Sequence, residues 1–166
     1  MLTMSLLGAG LALGALACDD GAEDGADGGE TDAIEATLGA EGGELSGAPG
    51  SAFSGFRLHV PAGALSEPVT LRVTAAATSN PLPPHGAAVG PTFDLVPHLD
   101  LARSARVTLP FDAGRVAGYG VDLAGVKVWR IGPEGWELID ATARAAAAVT
   151  VELSTLTVVG AGVEVP

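Results

Sequence analysis

Few side chains in this chain could do chemistry, and the first of them is Cys18, its only cysteine. A single cysteine excludes an internal disulfide, and an exposed free thiol in an oxidising compartment is a reactive liability. The three histidines, His59, His85 and His98, have neither helical nor zinc-finger spacing, so no metal site is expected. No Gly-x-Ser-x-Gly elbow, phosphate loop or dinucleotide fingerprint occurs, and no cofactor is implied. Trp129 and Trp136 flank Gly132-Pro133-Glu134-Gly135. If these four residues turn a hairpin, both indoles can share one sheet face as a stacking platform for sugars. The competing and preferred reading packs at least one of them into a core that has few other aromatics.

The elements that position these residues begin with the apolar run Leu2–Ala17, closed by small residues just before Cys18. That pattern is a secretory signal. It is shorter than the roughly 20 residues of a membrane-spanning helix, and acidic rather than basic residues follow it. The tetrad Ala15-Leu16-Ala17-Cys18 resembles the lipobox of bacterial lipoproteins, with its leucine one place late. The resemblance implies cleavage between Ala17 and Cys18 and acylation of the Cys18 thiol by chains such as palmitate. The protein would then be held at the cell membrane or outer membrane, facing the periplasm or cell surface. Each buried methylene contributes about 0.8 kcal/mol, so two or three chains hold what a single short one releases.

Between Asp19 and Glu44 stand ten acidic residues and no basic one. The expectation is a signal peptide over 1–17 and an acidic, Gly- and Ala-rich disordered tether over 18–44. Asp20, Glu23, Asp24 and Asp27 match the spacing of neither an EF-hand loop nor a calcium-binding nonapeptide repeat. All eight basic residues, from Arg57 to Arg144, lie after Glu44 in a remainder that also carries ten acids, so the formal charge of −12 is mostly that of the tether. No basic stripe exists to release counterions from phosphates, and nucleic acid is excluded as a partner.

Residues 45–166 read as one domain. Phe56, Leu58 and Val60 alternate with Arg57 and His59, while Val69, Leu71 and Val73 alternate with Thr70, Arg72 and Thr74. Val107 and Leu109 lie opposite Arg106 and Thr108, and short β-rich segments follow at 126–131, 136–139, 149–153 and 156–159. A period of two broken by Pro and Gly turns predicts an all-β antiparallel β-sandwich. Asn80–Pro91, with four prolines, is expected as an exposed loop, and Ala141–Ala148 as at most a helical turn.

The order of motifs resembles the ZU-five domain, the β-sandwich shared by zonula occludens proteins, uncoordinated-five netrin receptors and ankyrins. It rests on Gly42-Gly43, the strand Phe56–Val60 running into Pro61-Ala62-Gly63-Ala64-Leu65, Val89-Gly90-Pro91, Val107–Asp112, Gly135-Trp136 and the closing strands. Some eukaryotic relatives cleave themselves at a His-Phe-Ser junction near the last strands. The matching triplet here is Glu152-Leu153-Ser154, which keeps the serine but replaces the base with a carboxylate, so no self-cleavage is expected. The expected function is a non-enzymatic, membrane-anchored envelope lipoprotein presenting a structural or protein-interaction module with a possible envelope protein partner. The alternative is an extracellular ligand- or carbohydrate-binding module.

Overall fold

Alternating apolar and polar side chains suit a sheet with one wet face, and two such sheets close on their dry faces as a sandwich. The computed structural model describes residues 32–76 and 85–165. One sheet holds six strands in the order β1 (Ala33–Leu38), β4 (Val69–Ala76), β5 (Gly86–Val96), β11 (Val158–Glu164), β7 (Lys127–Gly132) and β8 (Gly135–Ile139). The other holds five, in the order β2 (Gly43–Ser46), β3 (Arg57–Val60), β6 (Asp100–Pro110), β10 (Ala148–Thr155) and β9 (Ala143–Ala145). Every ladder is antiparallel.

The faces follow the sequence alternation. Leu58, Val60, Val107, Leu109, Val149, Val151 and Leu153 are buried from the five-stranded sheet, against Leu71, Val73, Phe93, Leu95, Val159 and Val163 from the six-stranded one. Arg57, His59 and Arg106 occupy the wet face between them. Phe53 and Phe56, from the β2–β3 connection, reach across to Phe93 on β5, with ring centroids 6.1 Å and 4.5 Å from it. The turn after β3 has Gly63 at φ 77°, the left-handed region that a side chain would resist.

Three expectations need correction. The tether does not extend to Glu44: β1 and the start of β2 lie within its expected span, and Leu38 is buried while Ile34 and Ala36 pack against the core. Their period-two pattern is masked by acids that sit on the wet face. There Glu35 pairs with Arg72 at 2.8 Å and Glu44 with Arg57 at 3.3 Å. Residues 18–31 lie outside the described residues, as does the leader. Second, Gly86–Pro91 is not loop but the first half of β5. The β5–β11 register shifts between Gly160 and Gly162, opposite this stretch, and Pro91 falls in that bulge, where no ladder donor is required of it. Third, Ala141–Ala148 supplies the short strand β9 rather than a helical turn, and Arg144 Nε donates to the Val126 carbonyl at 3.0 Å.

One element carries too weak a pattern to be read from sequence. Helix α1 (Ala113–Gly118) has six residues, two of them glycine, and a single buried side chain, Val116. Its start is fixed by Asp112, whose Oδ1 accepts from the Gly114 and Arg115 amides at 2.8 Å and 3.2 Å. Replacing Asp112 with Ala is expected to cost about 1 kcal/mol. A denaturation midpoint unchanged from the parent would show that packing of Val116 alone holds the helix.

Candidate functional site

The chain crosses between the sheets twice at one end of the sandwich. β5 passes to β6 through Pro97-His98-Leu99, and β10 passes to β11 through Leu156-Thr157. The two crossings are laced together: the Leu156 amide donates to the Leu99 carbonyl at 2.8 Å. The tip of the β7–β8 hairpin reaches the same end, where Gly132 pairs with Gly135. Between these connections lies an open cavity of about 310 Å³, walled by Ile131, Pro133 and Leu156 and ringed by His98, Asp100, Arg130, Thr155 and Thr157.

Each polar side chain of that ring is tied to a protein partner. His98 Nε2 lies 2.7 Å from Asp94 Oδ1, and the Thr155 hydroxyl donates to Asp100 Oδ1 at 2.6 Å. Arg130 sends Nε and Nη2 to Glu137 Oε2 at 3.0 Å and 2.9 Å. Thr157, almost fully buried, donates to the Ile131 carbonyl at 2.7 Å. Arg130 and Glu137 share a sheet face with Val128 and Ile139 by register, but they sit nearer the hairpin tip, at the end of the core. Such ties fix rotamers before any ligand arrives, which lowers the entropy lost on binding. The Thr155 hydroxyl is given to a carboxylate and not to an imidazole.

The hairpin's other face continues from the cavity wall. Trp129 lies opposite Leu138 and Ile131 opposite Trp136, so all four side chains project from the outer face of the six-stranded sheet. Gly160 is the neighbour of Trp129 on β11 and pairs with Thr92 beyond it, leaving a row with no side chain between indole and threonine. Trp129 is only 8% exposed, yet it stands outside the core cluster. Its Nε1 is buried without a hydrogen-bond partner, the only such side-chain atom among the described residues. Trp136 is half-buried, while Ile131 and Leu138 are 38% and 42% exposed.

The preferred sequence reading packs at least one indole into the core, and Trp129 is indeed buried, but it lies with Trp136 on the outer side of the six-stranded sheet and outside the main cluster. The β7–β8 register decides this, since residues 129 and 136 differ by an odd number and share a face only through the hairpin. No protein-family model and no curated protein matches the chain. The site is therefore argued from its own geometry.

The remaining expected residues are dispersed. His59 stands on the wet face of β3 in the register row Glu44–His59–Arg106–Glu152, beside an open, polar depression that also includes Arg103. His85 is exposed at φ 76°, and its carbonyl accepts from the Val165 amide at 2.7 Å. Only His98 belongs to the end cavity. Among the described residues no group of three or more His, Cys, Asp or Glu is placed to hold a metal ion. Glu152, Leu153 and Ser154 lie on β10, with a register shift between Leu153 and Thr155 and Glu152 turned toward Arg106 at 3.7 Å. Ala17 and Cys18 lie outside the described residues. Asp94, Asp100, Arg130, Thr155 and Thr157 were not legible as a group, because they come from four strands and a crossing that meet only in three dimensions.

Proposed function

We propose that this chain is an exported envelope protein, anchored through lipid on Cys18, whose sandwich of ZU-five type is a non-enzymatic structural or interaction module. The observation that best supports it is the end cavity, whose polar side chains are each tied to a protein partner and present a fixed surface. The lipobox-like tetrad ending in Cys18 supports the anchoring, and the Pro61-Ala62-Gly63-Ala64-Leu65 turn supports the family. Replacing Cys18 with Ala tests the anchor by fractionation and intact mass. Loss of acyl mass with release from membranes is expected; a variant still found in the membrane fraction, or a parent without acyl mass, would refute it.

The second reading is an extracellular ligand- or carbohydrate-binding module. It is favoured by the placement of the half-buried Trp136 on an outer sheet face, directly across the ladder from Ile131 of the cavity wall.

A further inference from the structure

We propose that the end cavity and the adjoining face of Trp136 form one binding site for a neutral saccharide. The proposal rests on the second reading above and is independent of the anchor. Its first support is hydrogen-bonding character. With the pairings above in place, Asp100 Oδ2 remains as an acceptor, Arg130 Nη1 as a donor, and His98 Nδ1 as the second ring nitrogen, all around a cavity of about 310 Å³. That mixture suits hydroxyl groups, which donate and accept. A phosphate or carboxylate would meet Asp100 with acceptors only, and an ammonium would meet Arg130 with donors only.

Charge points the same way. Asp100 lines the cavity, and Asp94 and Glu137 hold its His98 and Arg130, so three carboxylates stand at the site against one guanidinium and disfavour anions. The cavity volume is near the lower end of the range for small-molecule sites. Apolar surface lies where a sugar ring would need it. Ile131 forms part of the cavity wall, and Trp136, directly across the ladder from it, is partly exposed on the outer face, where an aromatic ring can stack on the C–H face of a sugar.

The test uses the full chain in detergent micelles on an array of neutral, amino and sulfated oligosaccharides, followed by an amide NMR titration with the neutral compound that binds best. Binding to a neutral oligosaccharide is expected, with shifts concentrated at His98, Asp100, Arg130 and Trp136. Asp100→Asn and Trp136→Ala should each weaken Kd by roughly tenfold, about 1.4 kcal/mol, without lowering the thermal midpoint. Trp136→Phe, which keeps a stacking ring, should recover most of the affinity. Three results overturn the proposal: binding of charged oligosaccharides only, neutral binding indifferent to both substitutions, or no glycan bound at all. The last also removes carbohydrate binding from the second reading. None of them bears on the Cys18 anchor, which fractionation reads separately.

Discussion

Replacing Phe93 with Ala is expected to remove about 3–5 kcal/mol of stability, the usual cost of truncating a fully buried ring. Phe93 is fully buried in the middle of β5, which is paired on one side with β4 and on the other with β11. Its ring meets Phe56 at 4.5 Å and Phe53 at 6.1 Å, so it joins the six-stranded sheet to the β2–β3 connection of the other. Both strands flanking β5 are held by backbone ladders and cannot collapse freely into the space left behind. Domains of this size are stable by only about 5–15 kcal/mol, so the variant should lie near the threshold of folding. Urea denaturation is the measurement, with the midpoint falling and the slope retained. A loss below about 1 kcal/mol would mean that Phe53 and Phe56 refill the site, and the bridging role assigned to this ring would be wrong.

A comparably large effect is expected from where the N-terminal segment is cut. Removing residues 1–31 should leave a chain that melts cooperatively, whereas removing residues 1–44 should not. The longer deletion takes all of β1, with its six-residue ladder to β4, and the first half of β2. Leu38 leaves the core with it, at roughly 1.5–3 kcal/mol, and the partly buried Ile34 is lost as well. The edge of β4 is then bared beside Leu71 and Val73, a template for pairing with another chain. Circular dichroism melts and size-exclusion chromatography would read the difference. Equal midpoints and equal elution for the two truncated chains would show that β1 contributes no stability.

This second expectation marks where composition misleads. The acids from Asp19 to Glu44 look alike in sequence, but Glu35 and Glu44 lie on wet faces and pair with arginines, while Ile34, Ala36 and Leu38 turn inward. A strand with one wet face tolerates any charge there, so local charge density does not separate a strand from a spacer. Pro91 misleads in the same way, since a proline excludes a residue only from a regular ladder and β5 is bulged there. The sequence pattern marks β3, β4, β7, β8 and β10 at nearly their observed positions, but only the second half of β6 and the start of β11. β3, the second half of β6 and β10 bury every second residue, and a period of two is a local property; β11, buried throughout Val159–Val163, shows no such alternation.

The sequence by itself determined the all-β antiparallel sandwich, the faces of Leu58, Val60, Val107 and Leu109, and the residues that make Cys18 a lipidation candidate, because each depends on neighbours in the chain. Tertiary structure alone decided that β1 belongs to the sandwich, that Trp129 and Trp136 share an outer face, and that His98, Asp100, Arg130 and Thr155 surround one cavity. Those relations are fixed by strand register and by two crossings between sheets, which bring together residues up to 57 positions apart in the sequence. Side-chain alternation records which way a residue points. Which distant residue it meets depends on the pairing of strands, and that pairing is a property of the whole sheet.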